Sequence, residues 1–229
     1  MMKKIIANLL PDSILRELLV YKNISKMYGH YRSAKFKVPV DKKGNPIPWY
    51  TYPAIEYITQ VDYSDKTVFE YGSGNSSIFW SKRAKKVISV ENDKSWFEVV
   101  QKSKIINQEI ILRENEEGYV HSISEFNQKF DVIIIDGSFR RDCSKIAIKY
   151  LKKTGFIIFD NCDWYQRSAL DLRKNHEFTQ IDFHGFSPTN TYSSTTSLFF
   201  WRDFKLNPLD KQPIPSCAAI KKDEFKLFS

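Results

Sequence analysis

From residue 67 onward, short apolar runs alternate with stretches of helical periodicity, and this alternation constrains the fold more than any other feature of the chain. Short runs rich in β-branched and aromatic residues indicate strands, while the longer amphipathic stretches between them indicate helices. Strands that are joined by helices form parallel sheets, whose two faces the helices cover. The sequence therefore predicts an α/β fold.

The pattern predicts seven strands, at residues 67–71, 86–91, 109–113, 130–136, 155–160, 178–184 and 196–201. Helices are predicted between them at residues 75–83, 93–104, 143–152 and 164–174. No helix separates the last two strands, so we expect an antiparallel hairpin there. The predicted architecture is a Rossmann-like, doubly wound, mostly parallel seven-stranded sheet with an antiparallel C-terminal edge hairpin.

The chain of 229 residues suits one such domain with short extensions. In the N-terminal part, Asp12 is expected to cap a helix that runs to Met27, and a loop with Pro and Gly follows. Pro53 is well placed in the first turn of a further helix. The predicted parts are a helical extension at 1–48, the main domain at 49–203 and a C-terminal tail at 204–229.

The net charge of +8 favours anionic partners, but the lysines are scattered and we interpret most of the excess as solvated surface. Nucleic acid is therefore not the favoured partner, although the charge keeps it as an alternative. The three cysteines are far apart, which argues against a zinc site or disulfides and fits a reducing compartment. No segment is apolar enough to span a bilayer, so we expect a cytoplasmic protein, with a homodimer as one arrangement.

The first strand leads into a glycine-rich turn, T-V-F-E-Y-G-S-G-N-S-S. Gly72 and Gly74 allow a sharp turn and a close approach of a ligand to the backbone. Glu70 precedes the glycines, and its carboxylate would repel a dinucleotide diphosphate. Because a zwitterionic or cationic ligand would not be repelled, the motif indicates an amino-acid or sulfonium ligand and disfavours NAD.

The second predicted strand ends in Glu91, 21 residues after Glu70, and Asn92 follows it. In a doubly wound sheet, ligands bind beyond the carboxyl ends of the strands, where an acidic residue can accept hydrogen bonds from both ribose hydroxyls. The alternative for Glu91 is an acidic surface residue at the start of a helix.

The motif E-Y-G-S-G-N-S resembles the first motif of class I S-adenosylmethionine-dependent methyltransferases, with Ser76 in place of a third glycine. The resemblance covers about residues 50–203 and implies S-adenosylmethionine as cofactor, with its methionine part near the glycines and its ribose at Glu91. It also suggests adenine contacts near 119–122. The implied cofactor-binding residues are Tyr50, Thr51, Glu70, Gly72, Ser73, Gly74, Asn75, Ser76, Glu91, Asn92 and Asp136.

Two further strands end in acidic residues, Asp136 and the pair Asp160-Asn161. These ends lie at the same edge of a parallel sheet, and their oxygens suit Mg²⁺. The pattern resembles metal-dependent O-methyltransferases of the catechol and sugar types, which implies Asp136, Asp160 and Asn161 as metal ligands. Alternatively, Asp136 contacts cofactor or substrate directly and Asp160-Asn161 caps the next helix.

Asp136 and His184 are the predicted catalytic residues, each a candidate for the base that takes a hydroxyl proton. Trp49, Tyr50, Tyr52 and the loop 186–192 are candidates for a lid over the substrate. The predicted function is methyl transfer to a hydroxyl of a small molecule, a sugar or a glycan precursor. An RNA methyltransferase and a non-catalytic binding module are the alternatives, although D-G-S-F after the fourth strand differs from the pattern of base N-methylation.

Overall fold

A computed structural model describes residues 10–210 and 213–219 and contains one mixed seven-stranded sheet. The order of the strands across the sheet is β3-β2-β1-β4-β5-β7-β6. The strands are β1 Thr67–Tyr71, β2 Lys86–Glu91, β3 Gln108–Leu112, β4 Phe130–Ile135, β5 Leu151–Asp160, β6 Phe178–Phe186 and β7 Ser193–Trp201. The first five are parallel, and β7 pairs antiparallel with both β5 and β6. The predicted fold class is confirmed.

The described residues form eight α-helices, of which the first two belong to the N-terminal extension and the others pack against the sheet. The eight helices are α1 Asp12–Lys22, α2 His30–Phe36, α3 Tyr52–Ile58, α4 Asn75–Ser81, α5 Lys94–Gln101, α6 Glu116–His121, α7 Arg140–Ala147 and α8 Gln166–His176. Every residue of β4 is buried, as expected for a central strand with helices on both sides. Two clusters of buried apolar side chains fill the space on the two faces, one around Phe69 and Ile133 and the other around Val68 and Ile134.

Several predicted boundaries move because pairing in the sheet overrides local preference. The helix predicted at 143–152 begins at Arg140 and ends at Ala147, and β5 begins at Leu151 instead of at residue 155. Leu151 pairs with Phe130, after which the register shifts before Val132. The polar residues that favour a turn before Gly155 therefore continue the strand.

The N-terminal extension differs from the single predicted helix. Asp12 is the first helical residue and not the cap, and its carboxylate accepts a hydrogen bond from Arg16 Nε at 2.8 Å. Helix α1 continues into a π-helical turn at Asn23–Met27 before Gly29 and α2. No helix among the described residues is long and apolar enough to cross a membrane.

Candidate active site

A cavity of about 510 Å³ opens beyond the carboxyl ends of β1, β2, β4 and β5. The parallel arrangement brings the ends of these strands to one edge of the sheet, as the sequence predicts. Eleven of the predicted site residues line the cavity: Glu70, Gly72, Ser73, Gly74, Asn75, Ser76, Glu91, Asn92, Asp136, Asp160 and Asn161. Tyr50, Thr51 and His184 do not line it.

The glycine turn after β1 brings two backbones into close contact. Gly72 has φ of +110°, and a Cβ atom on it would lie 3.1 Å from the backbone of Gly137. A Cβ on Gly137 would lie 2.8 Å from Gly72. Glycine is therefore required at both positions for the ends of β1 and β4 to approach each other.

Glu70 is completely buried at the end of β1, yet it borders the cavity. Its Oε2 atom accepts hydrogen bonds from Ser77 Oγ at 2.5 Å and from Ser89 Oγ at 2.8 Å. Its Oε1 atom is buried with no partner among the described residues. Burial raises the pKa of Glu70 to about 7. The free oxygen is suited to a cationic or hydrogen-bond-donating group of a ligand in the cavity.

Glu91 is held in a fixed orientation at the end of β2. Its Oε1 atom accepts the backbone N–H groups of Asn92 and Asp93 at 2.9 and 3.0 Å, and Oε2 accepts Ser73 Oγ at 2.7 Å. Oε1 thereby accepts two hydrogen bonds, whereas Oε2 accepts one and retains a lone pair for a further donor. This geometry fits a carboxylate that binds a vicinal diol such as ribose.

Trp96, which the sequence analysis missed, also lines the cavity. Its indole Nε1 donates to the backbone oxygen of Ser73 at 2.9 Å, which fixes the ring beside the glycine turn. The signal that could have found it is its place in the first turn of the helix after Glu91. By contrast, Tyr119 and Ser122 are fully buried and do not line the cavity, so the suggestion of adenine contacts near 119–122 is not supported.

Arg140 occupies the place that the sequence analysis assigned to a metal ion. Its guanidinium donates to the backbone oxygens of Asp136 and Asp160, each at 2.6 Å, and to Asn161 Oδ1 at 3.1 Å. It also forms an ion pair with Asp136 Oδ1 at 3.2 Å. Across residues 10–210 and 213–219, no group of three His, Cys, Asp or Glu side chains is arranged to hold a metal ion. The predicted Mg²⁺ site is not supported, because the Arg140 guanidinium already pairs with Asp136 Oδ1, donates to Asn161 Oδ1 and lies 4.0 Å from Asp160 Oδ2.

Asp136 and Asp160 form a coupled acidic pair at the base of the cavity. Burial raises the pKa of both, and the charge of Asp136 raises that of Asp160 further. Hydrogen bonding between the two, and the charge of Arg140, oppose the rise in the pKa of Asp136. The pair is therefore suited to hold one proton between its two carboxylates.

Thr51 and Tyr50 act from behind the cavity. The backbone N–H of Thr51 donates to Thr196 Oγ1 at 2.9 Å, and Thr196 Oγ1 donates to Asp160 Oδ1 at 2.5 Å. Tyr50 is fully buried, and burial together with the charges of Glu70 and Asp136 raises its pKa. Thr51 is thus linked to Asp160 through Thr196, and neither Thr51 nor Tyr50 lines the cavity.

His184 lies away from this site, on the edge strand β6. Its Nδ1 atom is 2.7 Å from Thr195 Oγ1, and it borders a separate depression with Asp182 and Arg173. Neither His184 nor its neighbours Phe183 and Gly185 line the cavity. The structure does not bring His184 together with Asp136.

Two segments form the mouth of the cavity. Residues 37–39 of the N-terminal extension border it, and Asn75 Nδ2 donates to the backbone oxygen of Pro39 at 2.6 Å. Trp49, directly after the extension, donates from Nε1 to Asn190 Oδ1 at 3.1 Å, which joins this part of the chain to the loop between β6 and β7. Tyr192 of that loop also lines the cavity, whereas Tyr52 packs on Tyr28 and does not.

Comparisons with known proteins identify the fold. No family model matches the chain, and no curated protein matches it significantly. A precorrin-6y C5,15-methyltransferase from Geobacter metallireducens GS-15 matches with a TM-score of 0.54 at 13% identity, over 73% of this chain and 96% of that one. A candidate O-methyltransferase from Klebsiella pneumoniae matches with a TM-score of 0.50 at 16% identity, over 66% and 77% of the two chains. The chain has the Rossmann-like fold of class I S-adenosylmethionine-dependent methyltransferases.

Proposed function

We propose that this protein is an S-adenosylmethionine-dependent methyltransferase that methylates a hydroxyl group of its acceptor. The observation that carries the proposal is the arrangement of Glu70 and Glu91 around one cavity in a methyltransferase fold. Glu70 offers a buried oxygen without a partner, and Glu91 offers a fixed carboxylate. The first suits a ligand's ammonium group, and the second suits its ribose hydroxyls.

The residues of the cavity fit this cofactor in their chemistry. Glu70 would pair with the ammonium group of the methionine part, and the turn at Gly72–Gly74 leaves room for its chain. Glu91 would accept the ribose hydroxyls, and the exposed indole of Trp96 would stack on the adenine. When bound, the cofactor supplies an electrophilic methyl group.

Asp136 is the residue suited to take the proton of the acceptor hydroxyl. Its side chain lies in the cavity wall and forms the ion pair with Arg140. Burial raises the pKa of Asp160 more strongly than that of Asp136, whose rise the charge of Arg140 opposes, so Asp136 is the better suited of the two to act as a base. The acceptor hydroxyl would give its proton to Asp136 as its oxygen takes the methyl group, while the carbon–sulfur bond breaks and its electron pair leaves on the thioether sulfur of S-adenosylhomocysteine. Arg140 would hold both strand ends in position during this transfer.

The mouth of the cavity favours an acceptor with a sugar-like group. Trp49 and Tyr192 present aromatic rings, and Asn190 and Asn161 present amides that can bind hydroxyls. A sugar ring combines an apolar face with hydroxyl groups at its edge, which these side chains complement. A small-molecule sugar or glycan precursor meets this description, and so does the ribose of RNA.

Calorimetric titration tests the proposal. We expect S-adenosylmethionine and S-adenosylhomocysteine to bind and NAD not to bind. We expect Glu91→Ala to weaken binding of S-adenosylmethionine about 10-fold or more, because it removes charge-assisted hydrogen bonds. Glu98→Ala is the matched control, since Glu98 is exposed on α5 outside the cavity. Mg²⁺ and EDTA should leave the affinity unchanged, because Arg140 already binds the oxygens of Asp136, Asp160 and Asn161.

Each outcome of the titration has a meaning. If neither S-adenosylmethionine nor S-adenosylhomocysteine binds to the folded protein, the proposed function is wrong. If both bind but Glu91→Ala and Glu98→Ala have equal affinities, Glu91 does not hold the ribose. If affinity requires Mg²⁺, the role given to Arg140 is wrong.

A further inference from the structure

Most of the positive charge of the chain comes from one short segment. Residues 22–43 contain seven Lys or Arg residues and one acidic residue, Asp41. The remaining residues contain 28 basic and 26 acidic side chains, so the rest of the protein is nearly neutral. The carboxylate of Asp41 accepts hydrogen bonds from the backbone N–H groups of Lys43 and Asn45, each at 2.8 Å. The excess charge is therefore local and largely uncompensated.

The structure arranges four of these cations around one groove of about 300 Å³, which we call the basic groove. Its charged lining residues are Lys26, Arg32, Lys35 and Lys42. None of the four forms an ion pair with a carboxylate of the described residues. The groove thus presents unpaired cations to an anionic partner.

Exposed aromatic rings stand among these cations. Tyr31 and Phe36 line the basic groove and are each more than half exposed, at 53% and 57%. The Nζ atoms of Lys26 and Lys35 lie 4.9 and 5.5 Å from the centres of the Tyr31 and Phe36 rings. Cations that alternate with exposed aromatic rings are typical of surfaces that bind single-stranded nucleic acid.

A second groove connects the basic groove to the cavity. This aromatic groove, of about 340 Å³, is lined by Tyr21, Tyr31 and Phe186 among others. It shares Ser25 and Tyr31 with the basic groove and Asn190 with the cavity. The three concavities therefore adjoin one another and form a track that ends at Asp136.

The shape of the track favours a strand over other anions. A lipid bilayer is flat and could not follow concave grooves into the cavity. A small phosphate compound would need an enclosed anion site, whereas Lys26, Arg32, Lys35 and Lys42 are all exposed. A single strand can place its phosphates on the lysines and its bases on the rings.

We propose that the track binds single-stranded RNA and leads one nucleotide into the cavity for methylation. RNA is favoured over DNA because the proposed reaction consumes a hydroxyl, and the ribose of RNA provides one along the strand. The identification of RNA as acceptor rests on the proposed function, whereas RNA binding by the track does not. Lys37 follows Phe36 and lines the cavity, so it would contact the backbone at the entrance.

The test is fluorescence anisotropy with a labelled single-stranded oligoribonucleotide of mixed sequence, at increasing KCl concentrations. The groove variant combines Lys26→Glu, Arg32→Glu and Lys35→Glu. The matched control combines Lys102→Glu, Lys104→Glu and Lys129→Glu, which changes the net charge equally at exposed positions outside the track. Thermal melting and S-adenosylmethionine titration establish that each variant is folded.

We expect the unmodified protein to bind the RNA with a strong salt dependence. The groove variant should bind roughly 100-fold more weakly at low salt, with a salt slope smaller by about 2, because three phosphate contacts are lost. Tyr31→Ala should weaken binding about 10-fold through loss of base stacking. The control should change the affinity much less than the groove variant. S-adenosylhomocysteine should form with the oligoribonucleotide and not with the matching deoxyoligonucleotide.

Several results would overturn the proposal. One is absence of RNA binding at low salt by folded protein that binds S-adenosylmethionine. A second is equal loss of affinity in the groove variant and the control, which would indicate net charge alone. A third is binding to anionic phosphatidylglycerol vesicles without binding to RNA. If RNA binds at the track but S-adenosylmethionine does not bind, the proposed function fails and the RNA surface remains.

Discussion

Among single residues, Glu70 is fully buried, and its carboxylate accepts hydrogen bonds from the hydroxyls of Ser77 and Ser89 without an ion pair to a cation of the described residues. Its pKa is about 7 in the folded protein, against an ordinary value of 4.5. Between these two values the unfolded chain is ionised at this position while the folded protein retains its proton. Glu70 therefore lowers the free energy of unfolding progressively as the pH rises from about 4.5 to 7.

We predict that Glu70→Gln stabilises the ligand-free protein at pH 8 by up to about 3 kcal/mol and has little effect at pH 4.5. The reason is that glutamine keeps the hydrogen-bonding shape of the protonated acid and cannot ionise. Urea unfolding at the two pH values measures the difference, with the exposed Glu98→Gln as control. An equal effect at both pH values would contradict the raised pKa. The same variant should bind S-adenosylmethionine more weakly, because it loses the charge that pairs with the ammonium group.

The sequence located the acidic residues at the strand ends, but it did not indicate which side chains contact them. Glu70, Glu91, Asp136 and Asp160 border the cavity as expected, because the carboxyl ends of parallel strands meet at one edge. The role of Arg140 was not predictable, since it depends on the direction of a long side chain from the first turn of α7 back to two strand ends. That direction makes the metal unnecessary for holding Asp136, Asp160 and Asn161 together.

Among elements, the hairpin and α3 are connected through Asp160. Thr51 lies directly before α3, Thr196 belongs to β7, and Asp160 ends β5. The bonds from Thr51 N–H to Thr196 and from Thr196 to Asp160 are buried, so three separate elements depend on one hydroxyl group.

We predict that Thr196→Val lowers the free energy of unfolding by about 1–3 kcal/mol, because it leaves a buried donor and a buried acceptor without partners. Thr196→Ser keeps the hydroxyl and should restore most of the loss. Thr195→Val is the comparison, since the hydroxyl of Thr195 contacts His184 on the edge strand instead of Asp160. Equal losses for Thr196→Val and Thr195→Val in urea unfolding would show that the connection through Asp160 has no special weight.

The elements themselves were largely predictable, and the exceptions have a common cause. The central strands are recognisable in the sequence as apolar runs. Every residue of β4 is buried, and all of them except Asp131 are apolar. The early start of β5, the longer hairpin strands and the short helix α6 depend on pairing and packing with distant residues. Such tertiary contacts outweigh the local preferences that a single sequence reveals.

For the whole molecule, the sequence analysis treated the lysines as scattered, whereas residues 22–43 alone hold seven basic residues and one acidic residue. Spacing along the chain could not show that the π-helical turn, α2 and the loop after α2 bring Lys26, Arg32, Lys35 and Lys42 to one groove. The sequence also did not indicate a role for the polar tail, whereas in the structure part of the tail packs against α3 and the sheet.

The tail contacts the domain at several points between residues 204 and 217. The Phe204 ring lies 5.6 Å from Phe156 and 5.1 Å from Phe200, measured between centroids. The backbone N–H of Leu209 donates to the backbone oxygen of Gln60 at 2.9 Å, and that of Cys217 donates to Glu56 Oε1 at 3.0 Å. The tail therefore covers one end of the core and fixes α3, which begins next to Thr51.

We predict that ending the chain after Asp203 lowers the free energy of unfolding by about 3 kcal/mol or more, because the aromatic contacts of Phe204 and the bonds to α3 are lost together. The melting temperature should fall by roughly 10 °C. A chain that ends at Ala219 retains every one of these contacts and is the matched control. If the short chain fails to fold, Phe204→Ala in the full chain tests the aromatic part alone. Equal melting temperatures for the chains ending at Asp203 and Ala219 would mean that the domain is complete without the tail, and that α3 holds Thr51 in place by its own packing.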